Sequence, residues 1–216
     1  MGASFFEKAF TPHGPVGVAA SSNFITRKAD GKLGFVADRI SCAIGGRLES
    51  RVDRFLDKTL MLEGFVFIHC LRLRYRVENR FFAMLFDLLL ETTVAPGKGR
   101  APQGAMRFEV ELKGKMFVTG AEFLLCRCGE DDIERADEIL SLLGSDLIRD
   151  RILALDLADI VISYDPAQDI WAIRCRSNIG STTWNLIPPL MQLIKPRDGE
   201  CVKLMEFFEL AASCVA

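Results

Sequence analysis

A chain of 216 residues allows one large domain or two small ones, and 50% hydrophobic with 26% charged residues is a globular rather than a disordered composition. A formal net charge of −2 excludes the bulk basicity that nucleic-acid binding rests on. The longest apolar runs fall short of the ~20 residues a spanning helix needs, so no membrane span is expected.

The charge is unevenly spread. Residues 1–120 carry 18 Lys+Arg against 12 Asp+Glu, residues 121–170 carry 4 against 13, and residues 171–216 carry 5 against 4. A basic half and an acidic segment attract each other within one fold, which needs no outside partner. Seven cysteines, an odd number set mostly in apolar patterns, read as reduced thiols used as small core hydrophobes. The opening MGASFFEKAFTPHG has no basic leader followed by an apolar run, and Phe6 stands where a myristoylation signal wants Ser or Thr. A cytoplasmic location is expected.

In chain order, residues 1–22 read as one helical turn at Phe5–Phe10 and a Pro/Gly-punctuated loop. Asn23–Lys28 and Leu33–Ala37 read as strands joined by Ala29-Asp30-Gly31-Lys32, since Asp-Gly supplies the positive φ of a tight hairpin. Arg47–Lys58 places Leu48, Val52, Phe55 and Leu56 at helical spacing. Phe65–Val77 reads as one long strand, with Phe65, Phe67, His69, Leu71, Leu73, Tyr75 and Val77 on one face. Its other face ends in Arg72, Arg74 and Arg76. Asn79 reads as the cap of a helix Arg80–Thr93, apolar nearly all round and so buried or covered by a partner.

Val94–Gly104 reads as a basic loop, and Arg107–Val118 as a strand with Glu109 and Glu111 on its polar face. Glu122–Cys128 (strand), Asp131–Leu143 and a second helix capped by Ser145 follow, then strands Ala158–Tyr164 and Ile170–Ser177 around a turn at Asp165–Asp169. Asn178–Thr183 reads as a polar loop, Leu186–Ile194 as a segment bent by Pro188-Pro189, and Glu200–Ser213 as a closing helix. The expected fold is α+β: a largely antiparallel sheet with helices packed on one face, the C-terminal helix closing it. Residues 1–216 are expected to form a single domain, with 1–58 as its N-terminal part.

Motifs of catalysis are missing. No Walker loop, GxSxG elbow, HExxH or Rossmann fingerprint occurs, and His13 and His69 have no partner at dyad spacing. Cys126-x-Cys128 lacks the second ligand pair that zinc wants. The expectation is therefore no catalytic residue, no metal and no cofactor. One constellation carries chemistry. Arg72, Arg74, Arg76, Arg174 and Arg176 lie on polar strand faces, and Arg174–Arg176 run toward Ser181 and Thr182, whose hydroxyls suit an anion. Against that stands cross-strand pairing of the arginines with Glu109 and Glu111, weighted about two to one over an anion site.

The layout resembles helix-grip ligand-binding folds, which implies an apolar cavity between helix and sheet. The first functional expectation is a non-enzymatic cytosolic binding or adaptor domain using apolar helix surface for a protein partner or a homodimer. The second is a small-molecule binder with an apolar cavity and an arginine mouth for an anionic or amphipathic ligand. An enzyme of unrecognised type comes third.

Overall fold

The computed structural model describes residues 23–114 and 119–216. Readings that fall on residues 1–22 and 115–118 lie outside them. The described residues form an α+β fold with a nine-stranded antiparallel sheet. Its strands are β1 Leu48–Arg54, β2 Asp57–Leu62, β3 Cys70–Arg80, β4 Ala83–Val94, β5 Met106–Lys113, β6 Gly120–Arg127, β7 Leu157–Asp165, β8 Ile170–Asn185 and β9 Leu190–Leu193. They run in the order β1-β2-β3-β4-β8-β7-β5-β6, with β9 paired to the second half of β8. The α-helices are α1 Phe24–Ile44, α2 Ile133–Leu143, α3 Asp146–Ala154 and α4 Asp198–Val215.

Several sequence readings are corrected, among them Asn178–Thr183, an expected loop that lies within β8. The expected hairpin 23–37 is the first part of α1. Asn23 and Thr26 close a capping box there, and Ala29, Leu33, Val36, Ala37, Ile40 and Ile44 form one buried stripe. Asp30 is no turn residue: its carboxylate accepts from Leu56 N and from Lys58 Nζ, both at 2.8 Å, and ties α1 to the sheet. The expected helix 47–58 is the β1–β2 hairpin, whose turn holds Leu56 at φ 55°. The expected helix 80–93 is the central strand β4, paired to β3 on one side and β8 on the other. Its even residues Phe86, Leu88 and Leu90 are buried, its odd residues Leu85 and Leu89 are half-buried, and Phe81 and Phe82 at its turn are exposed.

The long strand begins at Cys70 rather than Phe65. Residues 66–68 are held in another way, with the Glu209 carboxylate of α4 accepting from Val66 N at 2.6 Å, Phe67 N at 3.2 Å and Ile68 N at 3.2 Å. From Leu71 the expected alternation holds, with Leu71, Leu73 and Tyr75 buried. Helix α1 packs on β2, β3, β8 and α4, while α4 also packs on α3, α2, β4 and β8. One apolar core joins these inner surfaces.

Candidate functional site

The arginines share the outer face of the sheet. Register places Arg72 beside Glu91 of β4, and Glu91 beside Arg174 of β8, so the two arginine strands are separated by β4 rather than adjacent. That central strand supplies the counter-charge: Arg174 Nε donates to Glu91 at 2.9 Å and Arg76 Nη2 to Asp87 at 2.9 Å. Arg72 Nε reaches both oxygens of Asp57 at 3.0 Å, and hydrogen bonding to that carboxylate pushes its pKa further up. Arg176 Nε donates to Asp159 at 2.8 Å. Arg74 is exposed and has no ion-pair partner among the described residues. The pairing expected with Glu109 and Glu111 does not form, because β5 pairs with β6 and β7.

Ser181 and Thr182 are not brought to the arginines. Thr182 is in register with buried Phe86 and therefore faces the helices. Between Ser177 and Thr182 the strand bulges, four residues standing opposite Asp87 alone. Ser181 Oγ donates to Ser177 O at 2.6 Å and accepts from Leu88 N at 2.8 Å, so its hydroxyl is used by the bulge itself. Tyr75 OH donates to Gly180 O at 2.6 Å and lies 3.0 Å from Thr182 Oγ1. Gly180 sits at φ +90°, where a Cβ would stand 2.6 Å from Leu88 Cδ2. The stretch expected to hold an anion is a built part of the core.

The space between α1, α4 and β8, lined by Val36, Ile40, Leu88 and Leu204, amounts to about 20 Å³. All seven cysteines are free thiols; burial pushes Cys175 upward and raises Cys201 to about 11. His69 is exposed in the loop before β3 rather than on its apolar face. Among the described residues no group of three or more His, Cys, Asp and Glu is placed to hold a metal ion. No described helix is long and apolar enough to cross a membrane.

A feature that sequence reading missed lies at one end of the sheet. The β3–β4 turn consists of Phe81 and Phe82 alone, since Arg80 pairs with Ala83. The neighbouring β8–β9 turn is Leu186-Ile187-Pro188-Pro189, closed by the Asn185–Leu190 pair. Leu186 N donates to Phe82 O at 2.9 Å and ties the two turns together. Phe81 is 90% exposed, Ile187 78% and Phe82 61%, and the phenyl rings of Phe81 and Phe82 meet edge to face at 4.5 Å. Beside them Phe24, 68% exposed, opens a groove of about 380 Å³ lined with Trp184, Pro189 and Met191. Two-residue hairpin turns favour Asn, Asp and Gly, which tolerate tight turns and water. Neither phenylalanine adopts a positive φ, so the backbone of this turn accepts them; what they depart from is the preference for polar residues at a turn.

Residues 56–215 match the family described as Protein of unknown function (DUF3156). The chain belongs to that family. The DUF3156 region takes in β2 to α4, and with it the arginine face and both apolar turns; α1 and Phe24 precede it. No curated protein and no solved structure matches the chain significantly.

Proposed function

We propose that this protein is a non-enzymatic binding domain that docks through apolar surface, and that the surface is the paired-turn tip of Phe81, Phe82, Leu186 and Ile187. The observation that carries this is the exposure of two adjacent aromatic rings, 90% and 61%, in a two-residue turn. Departures from local rules concentrate where a protein works. Contiguous exposed apolar patches mark interaction sites, and each phenyl fully buried on docking contributes about 1.5–3 kcal/mol. In this reading residues 23–216 act as one domain, with α4 closing the core and the Glu209 carboxylate fastening residues 66–68 to it.

The apolar-cavity reading is less well supported, because ligand pockets run to roughly 300–1,000 Å³ and the inner space is about 20 Å³. The outer arginines are read as electrostatics internal to the sheet, four of them already meeting carboxylates. A photo-crosslinking amino acid placed at position 81, with a second variant at position 74, tests the docking surface. Discrete adducts from 81 in cells, absent from 74, are expected. Equal yields from both positions would overturn the assignment.

A further inference from the structure

We infer that a second surface, separate from the tip, is the free edge of β6, and that it takes up an extended, basic segment of a partner protein as an added strand. The sheet ends in β1 on one side and in β6 on the other. A free edge offers unpaired N–H and C=O groups to another chain, and proteins guard it with charge, bulges or shortness. Strand β1 is guarded: Glu49, Arg51, Asp53 and Arg54 are four of its seven residues, and a bulge breaks it between Leu48 and Ser50. Strand β6 carries no charged side chain over Phe123–Cys126. Its own bulge falls at the end of that run, where Cys126 stands between the Leu125–Phe108 and Arg127–Arg107 pairs. Among the described residues, the backbone of 121–125 bonds only to β5, apart from the Cys126 thiol on Leu124 O. Ala121, Phe123 and Leu125 carry the apolar inner face out to this edge, with Ala121 and Leu125 only half-buried. An added strand with an apolar residue at every second position continues that face.

The surrounding charge selects a basic strand over a second copy. Helices α2 and α3 both pack on β6, and residues 130–150 hold eight Asp and Glu against two Arg. Glu138 pairs with Arg135 and Asp146 with Arg149, while Asp132 accepts from Gln103 N and Gly104 N. Glu130, Asp131, Glu134, Asp137 and Asp150 are exposed and have no ion-pair partner among the described residues. Burial, then Asp132 and Asp137, push the Cys128 thiol upward, which sets both carboxylates beside the end of β6. Of the cations on β5 and β6, Arg107 meets Glu109 and Lys113 meets Glu122, leaving Arg127. Lys98 and Arg100 in the loop before β5 bring the free cations to three, against five free carboxylates. Two copies paired through β6 would set these acidic helices beside each other, and like charges disfavour that. Lysine or arginine flanking an apolar run meets the same field with attraction.

The test is hydrogen exchange of the full chain with a synthetic peptide of alternating valine and threonine flanked by lysines, against the same peptide flanked by glutamates. Slower exchange in residues 120–127 with the lysine peptide, and none with the glutamate peptide, is expected. Leu124→Lys should weaken binding about tenfold by placing a charge on the edge. Glu134→Gln with Asp137→Asn should weaken it about threefold, a difference that high salt erases. Thermal unfolding shows whether each variant is folded. Unchanged exchange in 120–127 with the lysine peptide at millimolar concentration would overturn the inference. So would equal slowing by both peptides, or slowing in β1 instead. Slowing that appears without peptide as the protein is concentrated would assign the edge to a second copy and overturn the basic partner. Crosslinking from position 81 does not depend on any of these results, so tip and edge stand or fall separately.

Discussion

Tyr75 shows at the level of one side chain how the core and the strand bulge depend on each other. Its ring lies in the core against Phe86, and its hydroxyl reaches Gly180 O and Thr182 across the sheet. Burial pushes its pKa up to about 12 from an ordinary 10. The folded state therefore keeps a proton that the unfolded state loses, so the Tyr75 contribution to stability is intact below pH 10 and falls as pH rises toward 12. Two units correspond to about 3 kcal/mol. Urea unfolding of wild type should show that loss, and Tyr75→Phe should reduce it, leaving the part due to Tyr164 and the buried thiols, at a cost of about 1 kcal/mol at neutral pH. An unchanged pH profile in Tyr75→Phe would contradict the assignment. None of this was legible in the sequence, where Tyr75 is one more apolar position and Gly180-Ser181-Thr182 looks like a solvent loop. The bulge depends on a long-range contact with β3.

At the scale of elements, strong alternation between apolar and polar residues was readable. Strands β5, β6, β7 and the first half of β8 stand where the pattern puts them, as do α2, α3 and α4. The failures share a cause. At Phe81-Phe82 and at Phe55-Leu56 the chain turns with none of the usual turn residues, while Asp30-Gly31 offers a turn signal inside a helix. Without a break at Phe81, the apolar run after it is too long for an ordinary strand, and length favours a helix. The arginine row was half legible: the shared face was right, but the carboxylates come from β2, β4 and β7, which sequence could not place. The two kinds of pair should differ. Arg174 is largely exposed, so Arg174→Gln should change stability by no more than about 1 kcal/mol. Asp57 and Arg72 are both mostly buried, so Asp57→Asn should cost about 1.5–3 kcal/mol. Equal effects in urea unfolding would show that burial does not govern this face.

For the whole molecule, the enclosed core on the inner face of the sheet stands apart from an exposed tip. Residues such as Phe86, Leu88 and Trp171 are wholly enclosed, while Phe81 touches mainly Phe82 and solvent. A protein retains such a liability where binding requires it, and relieving it commonly raises stability while function is lost. The decisive measurement is the unfolding free energy of the double variant Phe81→Ser, Phe82→Ser, which removes both rings and leaves residues that a tight turn accepts. Stability unchanged to within about 0.5 kcal/mol is predicted, because both rings are largely exposed. A loss of 2 kcal/mol or more, the size of a core truncation, would mean that the two phenyl rings serve the fold itself, and the docking account would be wrong.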